Sequence, residues 1–130
     1  MGTRSLTFVY DDDAGENVII NMYRQFDGYI TGHGLELAEF LISGPMVNGI
    51  PAGDNTVMFN GMGDLACQLV VNFKKGNGGA YLYPASAIDC GQEYEYHVYY
   101  DRVIVKDPNE VIFVGSFQSF WEFCYEKELA

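Results

Sequence analysis

A guanidinium, an imidazole and several glycine amides fall together in residues 23–42, YRQFDGYITGHGLELAEFLI. Arg24 closes an extended apolar run, Gly28, Gly32 and Gly34 bend the backbone, and a helical pattern follows. A glycine-bearing loop that leads into a helix can leave N–H groups unpaired, and such groups bind anions. Arg24 would add charged, bidentate hydrogen bonds to the same anion. If the N-terminal strands pair, Arg4 could converge on it, while Tyr23, Phe26 and Tyr29 could stack on a base. The candidate ligand-binding set is therefore Arg4, Tyr23, Arg24, Tyr29, Gly32, His33 and Gly34. Its ligand would be a small anion, with nucleotide-derived compounds as the leading class. The competing reading is a tight connection in which glycine permits positive φ and Arg24 pairs with a carboxylate. Glu36 and Glu39, near the helix start, suit its dipole but would also compete with a bound anion.

A second constellation lies on one strand. In residues 93–101, Glu93, Glu95 and His97 share a face and follow one another at about 6–7 Å, from the ~3.3 Å rise of a strand. Two carboxylates and an imidazole there could hold a metal or exchange protons, and a half-exposed sheet face produces the same pattern. Asp11, Asp12 and Asp13 lack the alternating oxygen spacing and terminal Glu of a helix–loop–helix calcium site, which leaves a solvated turn. Cys67 falls in the first turn of a helix beside Asp64, and its apolar surroundings predict a buried, neutral thiol. The 3 cysteines show no close paired spacing, which points to reduced thiols and a cytoplasmic setting. Walker, H-E-x-x-H, C-x-x-C and G-x-S-x-G motifs are all missing from the sequence. Binding is thus favoured over catalysis, and neither a cofactor nor a metal is expected.

The elements that must position these groups can be read from periodicity. Ser5–Tyr10 and Val18–Arg24 read as strands joined by the acidic turn, and residues 34–43 as a short helix stopped by Gly44-Pro45. Residues 46–63 are irregular, with a turn at residues 49–53 and a brief strand at residues 57–59, and suit a lid or partner-contact region. Asp64 reads as the N-cap of a helix whose Leu65, Leu69 and Phe73 share one face and whose C′ residue is Gly76. Ala80–Tyr83, residues 93–101, residues 102–106 and Val111–Gly115 read as strands, the last two joined by Asp107-Pro108-Asn109-Glu110. Ser116 or Ser119 caps a final helix with Phe117, Phe120, Trp121, Cys124 and Tyr125 along it. This order predicts an α+β fold over residues 1–130 as a single domain: a mainly antiparallel sheet of five to six strands with about three helices on one face.

Charge sets the choice of partners. Against 7 basic side chains stand 18 acidic ones, for a formal net charge of -11. Such a surface is expected to repel nucleic acid and would tolerate a basic protein partner or a divalent cation. No stretch approaches the ~18 consecutive apolar residues of a membrane span, and the N-terminus lacks the apolar core of a secretory leader. Gly2 recommends myristoylation only weakly, because position 6 is Leu. The aromatic load, 10 Tyr and 9 Phe, exceeds what a small core needs and predicts a homo-oligomer through the C-terminal helix.

The opening MGTRS, the loop YRQFDGYITGHG and the helix GMGDLACQLV together resemble a family of small accessory proteins of tailed phages and some bacteria. The resemblance spans most of the chain and carries no settled catalytic residues. It implies a phage accessory role in the host cytoplasm, countering a host defence. Two activities would serve that role: sequestering an anionic, nucleotide-derived ligand, or an acidic surface that inhibits a basic host protein by imitating nucleic acid. A small hydrolase or a structural protein are the further alternatives.

Overall fold

Alternating apolar residues along six segments build one sheet, and the two faces of that sheet have different cover. The computed structural model describes residues 2–47 and 58–130. Its elements are β1 (Ser5–Tyr10), β2 (Val18–Arg24), a π-helical turn (Ile30–Gly34), α1 (Leu35–Leu41), β3 (Met46–Val47), β4 (Phe59–Asn60) and α2 (Gly61–Phe73). They continue as β5 (Ala80–Tyr83), β6 (Tyr94–Val98), β7 (Val103–Lys106), β8 (Val111–Gly115) and α3 (Phe117–Leu129). The main sheet has six strands in the order β5-β2-β1-β6-β7-β8. All its neighbours are antiparallel except β1 and β6, which run parallel. The α+β architecture read from the sequence is the one observed. The turn expected at residues 49–53 lies outside the described residues, and the expected strand at 57–59 overlaps them only in part. There, Phe59–Asn60 pairs with Met46–Val47 in a small parallel sheet.

Val9, Met22, Tyr96, Val98, Val103 and Val105 face the helices and pack with Leu37, Leu41, Leu65, Leu69 and Phe120 in the main core. Leu6, Phe8, Tyr10, Tyr23 and Tyr99 point the opposite way and form a second buried cluster. Among the described residues, no helix covers that second face. Residues 84–92 cross part of it instead, tied down where Asn21 Nδ2 donates to the Pro84 and Ala87 carbonyls at 3.1 and 3.0 Å. All six residues of β1 are consequently buried. Among the described residues, no helix is long and apolar enough to cross a membrane.

The start of α2 departs from the sequence reading. Asp64 is not the N-cap of α2, because the helix begins at Gly61. Asp64 reaches back to accept from the Asn60 amide at 2.8 Å and from Gln68 Nε2 at 2.8 Å, which satisfies a donor at the helix start. Cys67 lies on the side of α2 away from the buried Leu65, Leu69 and Phe73. It is exposed, not buried as its apolar neighbours predicted. The third helix is capped by Ser116, whose Oγ accepts from the Ser119 amide at 3.1 Å. Ser116→Ala is expected to destabilise the protein by about 1 kcal/mol, lowering the thermal midpoint by roughly 3–5 °C. Ser119→Ala leaves that cap bond intact and is expected to change little; equal effects of the two variants would assign the cap wrongly.

Candidate functional site

The loop after β2 folds back on the chain that made it. Gly28 N–H donates to the Thr3 carbonyl at 2.8 Å, Gly32 N–H to Tyr29 at 3.1 Å, His33 N–H to Asp27 at 2.7 Å, and Gly34 N–H to Tyr29 at 3.2 Å. Every amide proposed for an anion cradle is thus taken by a backbone oxygen. Gly32 and Gly34 cannot serve as backbone ligands in this arrangement, and α1 is only seven residues long. The glycines are there for room, since none of the three has positive φ. A Cβ on Gly32 would sit 2.4 Å from the Asp27 carbonyl, and one on Gly28 would sit 2.8 Å from Ser5 Cβ. Asp27 is the residue in the left-handed region, at φ 61°.

This packing carries His33 into the interior, where it is fully buried. Its Nδ1 lies 3.1 Å from Arg24 Nη1 and its Nε2 lies 2.7 Å from Thr7 Oγ1. A guanidinium only donates, so Nδ1 must be the acceptor and Nε2 the protonated nitrogen, donating to Thr7. Burial, and then the positive charge of Arg24, hold the imidazole pKa down from 6.5 to about 3. His33 is therefore a neutral bridge between β1 and β2 and is closed to ligands. Tyr96 packs edge-on against it at 5.1 Å and donates to the Gly28 carbonyl at 2.7 Å.

Sheet geometry divides the remaining candidates. Ser5 pairs with Arg24, so Arg24 shares the helix-side face with Ser5 and Thr7, and Arg4 falls on the other face. Tyr23 is on that other face as well, stacked on Tyr83 at 4.9 Å and donating to Gln25 Oε1 at 2.6 Å. Tyr29 is 40% exposed in a shallow depression with Thr3 and Glu93. The expected convergence of Arg4 on Arg24 is thus overturned by the alternation of adjacent strand residues, which also turns Tyr23 away from Arg24, while Tyr29 opens on a separate hollow. Phe26 separates the hollow beside Arg4 from the one that holds Arg24.

Arg24 itself lies in a groove of about 640 Å³ between the β2 loop, α1 and the end of α2. Phe26, Phe40 and Phe73 supply apolar wall, Lys75 a second cation, and Asp27, Glu36 and Glu39 carboxylates. The guanidinium carbon is 5.8 Å from the centre of the Phe73 ring. Nη1 makes both of the group's hydrogen bonds, to His33 and to Glu36 Oε2 at 2.7 Å. Nε and Nη2 make none with any described residue. The Glu36 side chain is 52% exposed and that of Arg24 18% exposed. An ion pair with so wet a partner is worth about 0–1 kcal/mol. Phe26 and Phe40 lie within residues 23–42, but Phe73 and Lys75 come from the end of α2 and just beyond it, far away in sequence, where no local pattern in that stretch could have found them.

On the uncovered face, Glu95 and His97 meet as their spacing suggested. Glu95 Oε1 is 2.9 Å from His97 Nε2, and Gln92 Nε2 donates to Oε2 at 2.9 Å. The His97 bond, with help from Gln92, holds the Glu95 carboxyl below its usual range. His97 Nδ1 lies 2.6 Å from Tyr10 Oη, and the imidazole stacks on Phe8 at 4.9 Å. Burial raises the Tyr10 phenol well above its usual range, so it is a neutral hydrogen-bonding end of this chain. Among the described residues, no group of three or more His, Cys, Asp or Glu is placed to hold a metal. Compared with protein-family models, curated proteins and solved structures, the chain matches none.

The depressed pKa of His33 has a sign that can be tested. The unfolded imidazole takes up a proton near 6.5 and the folded one near 3, so the unfolded state binds more protons between those values. His33 therefore stabilises the fold fully above pH 6.5, and that contribution is lost as pH falls towards 3, at about 1.4 kcal/mol per unit. His33→Gln keeps both hydrogen bonds possible and removes the titration. It is expected to flatten the urea midpoint against pH between 6.5 and 4 relative to the unsubstituted protein; parallel slopes would contradict this assignment.

Proposed function

We propose that this chain is a binding protein that sequesters a small anionic ligand of the nucleotide-derived class in the Arg24 groove, as a phage accessory protein would. The observation that carries this reading is the state of the Arg24 guanidinium. His33 and Phe73 hold it from behind, and its Nε and Nη2 make no bond with a described residue. A rigid guanidinium with an available edge suits a phosphate or carboxylate, because little side-chain entropy remains to be lost on binding. Lys75 lines the same groove and adds a second positive charge. Glu36 competes for Nη1, but its side chain is 52% exposed and the pair is worth only about 0–1 kcal/mol, so it is readily displaced. The Phe26 ring, 53% exposed, offers a stacking surface for a base, and Glu39 and Asp27 can accept from its N–H groups.

A volume of 640 Å³ falls within the usual ~300–1,000 Å³ of small-ligand sites. The mixed charges of the walls disfavour a simple inorganic anion and favour a compound that carries both an anionic group and N–H donors. No nucleophile–base pair stands in this groove among its named lining residues, so holding a ligand is the role that its groups support. A second reading, the acidic inhibitor of a basic protein, draws on a separate observation at α3 considered below.

Isothermal titration with mono-, di- and cyclic nucleotides tests the groove. Arg24→Ala is expected to weaken a bound phosphorylated ligand by at least about tenfold. Glu36→Gln, which removes the competing charge and keeps an acceptor for Nη1, is expected to tighten it several-fold. No heat and no thermal shift with the whole panel would refute the reading, and weaker binding in Glu36→Gln would contradict the competition assigned to Glu36, since that carboxylate would then be bonding the ligand.

A further inference from the structure

Helix α3 is apolar on two faces, and the fold uses one of them. Phe120 and Cys124 are fully buried in the main core, where burial pushes the Cys124 thiol up to about 12. Phe113 and Phe123 pack beside them, their rings 4.9 Å apart. A second series, Phe117, Trp121, Tyr125 and Leu129, recurs every fourth residue and turns progressively away from that core. Phe117 and Trp121 are half-buried at its inner edge, Tyr125 is 42% exposed and Leu129 68% exposed. The Trp121 and Tyr125 rings stack at 4.9 Å and 13°, which gives the stripe a flat, preformed centre. From the ~1.5 Å rise of a helix its length is about 18 Å. That is enough for three turns of another helix.

Charge decides which helix. By helical position Glu122 and Glu126 run along the outer side of the stripe, and Glu128 lies along its inner side. Lys127, the basic residue of the last turn, is turned towards Phe123, with Nζ 5.4 Å from the centre of that ring. The apolar strip is thus bordered by carboxylates on both sides, on a chain of net charge -11. A second copy laid antiparallel here would set these carboxylates against their own kind, and like charges facing each other weaken an interface. A basic amphipathic helix has the complementary layout, with apolar anchors for the stripe and Lys or Arg for its borders. We infer that the outer face of α3 is a docking surface for a basic amphipathic helix of another protein. It stands apart from the ligand groove, because no residue of the stripe lines that groove.

Trp121 is the only tryptophan in the sequence and reports on this surface directly. The full chain is titrated with three short synthetic peptides: one of Leu and Lys with the leucines on one helical face, a scrambled peptide of the same composition, and one with Glu replacing Lys. The patterned basic peptide alone is expected to give a saturable blue shift of Trp121 emission that weakens with added salt. Tyr125→Ser combined with Leu129→Ser removes exposed side chains and is expected to reduce the affinity at least about tenfold without lowering the thermal midpoint. Arg24→Ala is expected to leave peptide binding unchanged, which separates this surface from the groove. Absence of a shift, or equal shifts with the scrambled peptide, would overturn the inference. So would self-association of the free chain in sedimentation that the Tyr125→Ser, Leu129→Ser variant abolishes, since a second copy would then be the occupant.

Discussion

A neutral imidazole held between a hydroxyl and a guanidinium is the contact on which the arrangement of this molecule turns. Thr7 belongs to β1, Arg24 ends β2, and His33 belongs to the turn that starts the first helix. One buried ring thus sets the twofold connection of a strand pair to the loop that leaves it. Burying an unpaired polar group would cost several kcal/mol, and here both ring nitrogens are satisfied. The tight approach of Gly28 and Gly32 to neighbouring backbone is what lets the ring reach that position. The same ring fixes the direction of Arg24, the member of the predicted ligand set that lines the groove between the β2 loop, α1 and the end of α2.

Much of the fold follows from patterns visible in the chain. The alternation in Ser5–Tyr10 and Val18–Arg24, the turn at Asp107-Pro108, and the Leu65, Leu69, Phe73 face each lead directly to the observed element. The candidate site was less legible. Local reading could see that Arg24 and His33 are near in sequence, but not that the imidazole would be a structural partner of the guanidinium. Arg4 immediately precedes β1 and Arg24 ends β2; those strands do pair, as expected, and the pairing of Ser5 with Arg24 puts the two arginines on opposite faces. Glycines suggested exposed amides, whereas the carbonyls of Thr3, Asp27 and Tyr29 had already claimed them. Where a backbone donor finds its acceptor is a property of the folded path, and composition does not carry it. The pairing of Glu95 with His97 was legible because it depends only on strand period; its continuation to Tyr10 was not, because that contact crosses to a parallel neighbour.

The acidic balance has uneven consequences. Asp12 is held by the Glu16 and Asn17 amides, and hydrogen bonds from them keep its carboxyl below its usual range. Asp13 pairs with Arg102 at 2.7 Å, and that guanidinium lies 3.9 Å over the Tyr99 ring. The acidic turn therefore acts as a fastening for the uncovered face of the sheet. Lys74 plays a related part at the β5 edge, where Nζ donates to the Gly78 and Ala80 carbonyls and obstructs strand addition there. With those charges committed to the fold, the carboxylates beside the α3 stripe stand out as ones with an apolar surface to frame.

The role of His33 can be read most directly from the nitrogen-15 shifts of its two imidazole nitrogens, followed by NMR as the pH is lowered. The expected result is a ring protonated only at Nε2, with Nδ1 unprotonated, from pH 7 to below pH 5. A ring that titrates near 6.5, or one that carries its proton on Nδ1, would contradict the bridge to Arg24 and the orientation of the groove that depends on it.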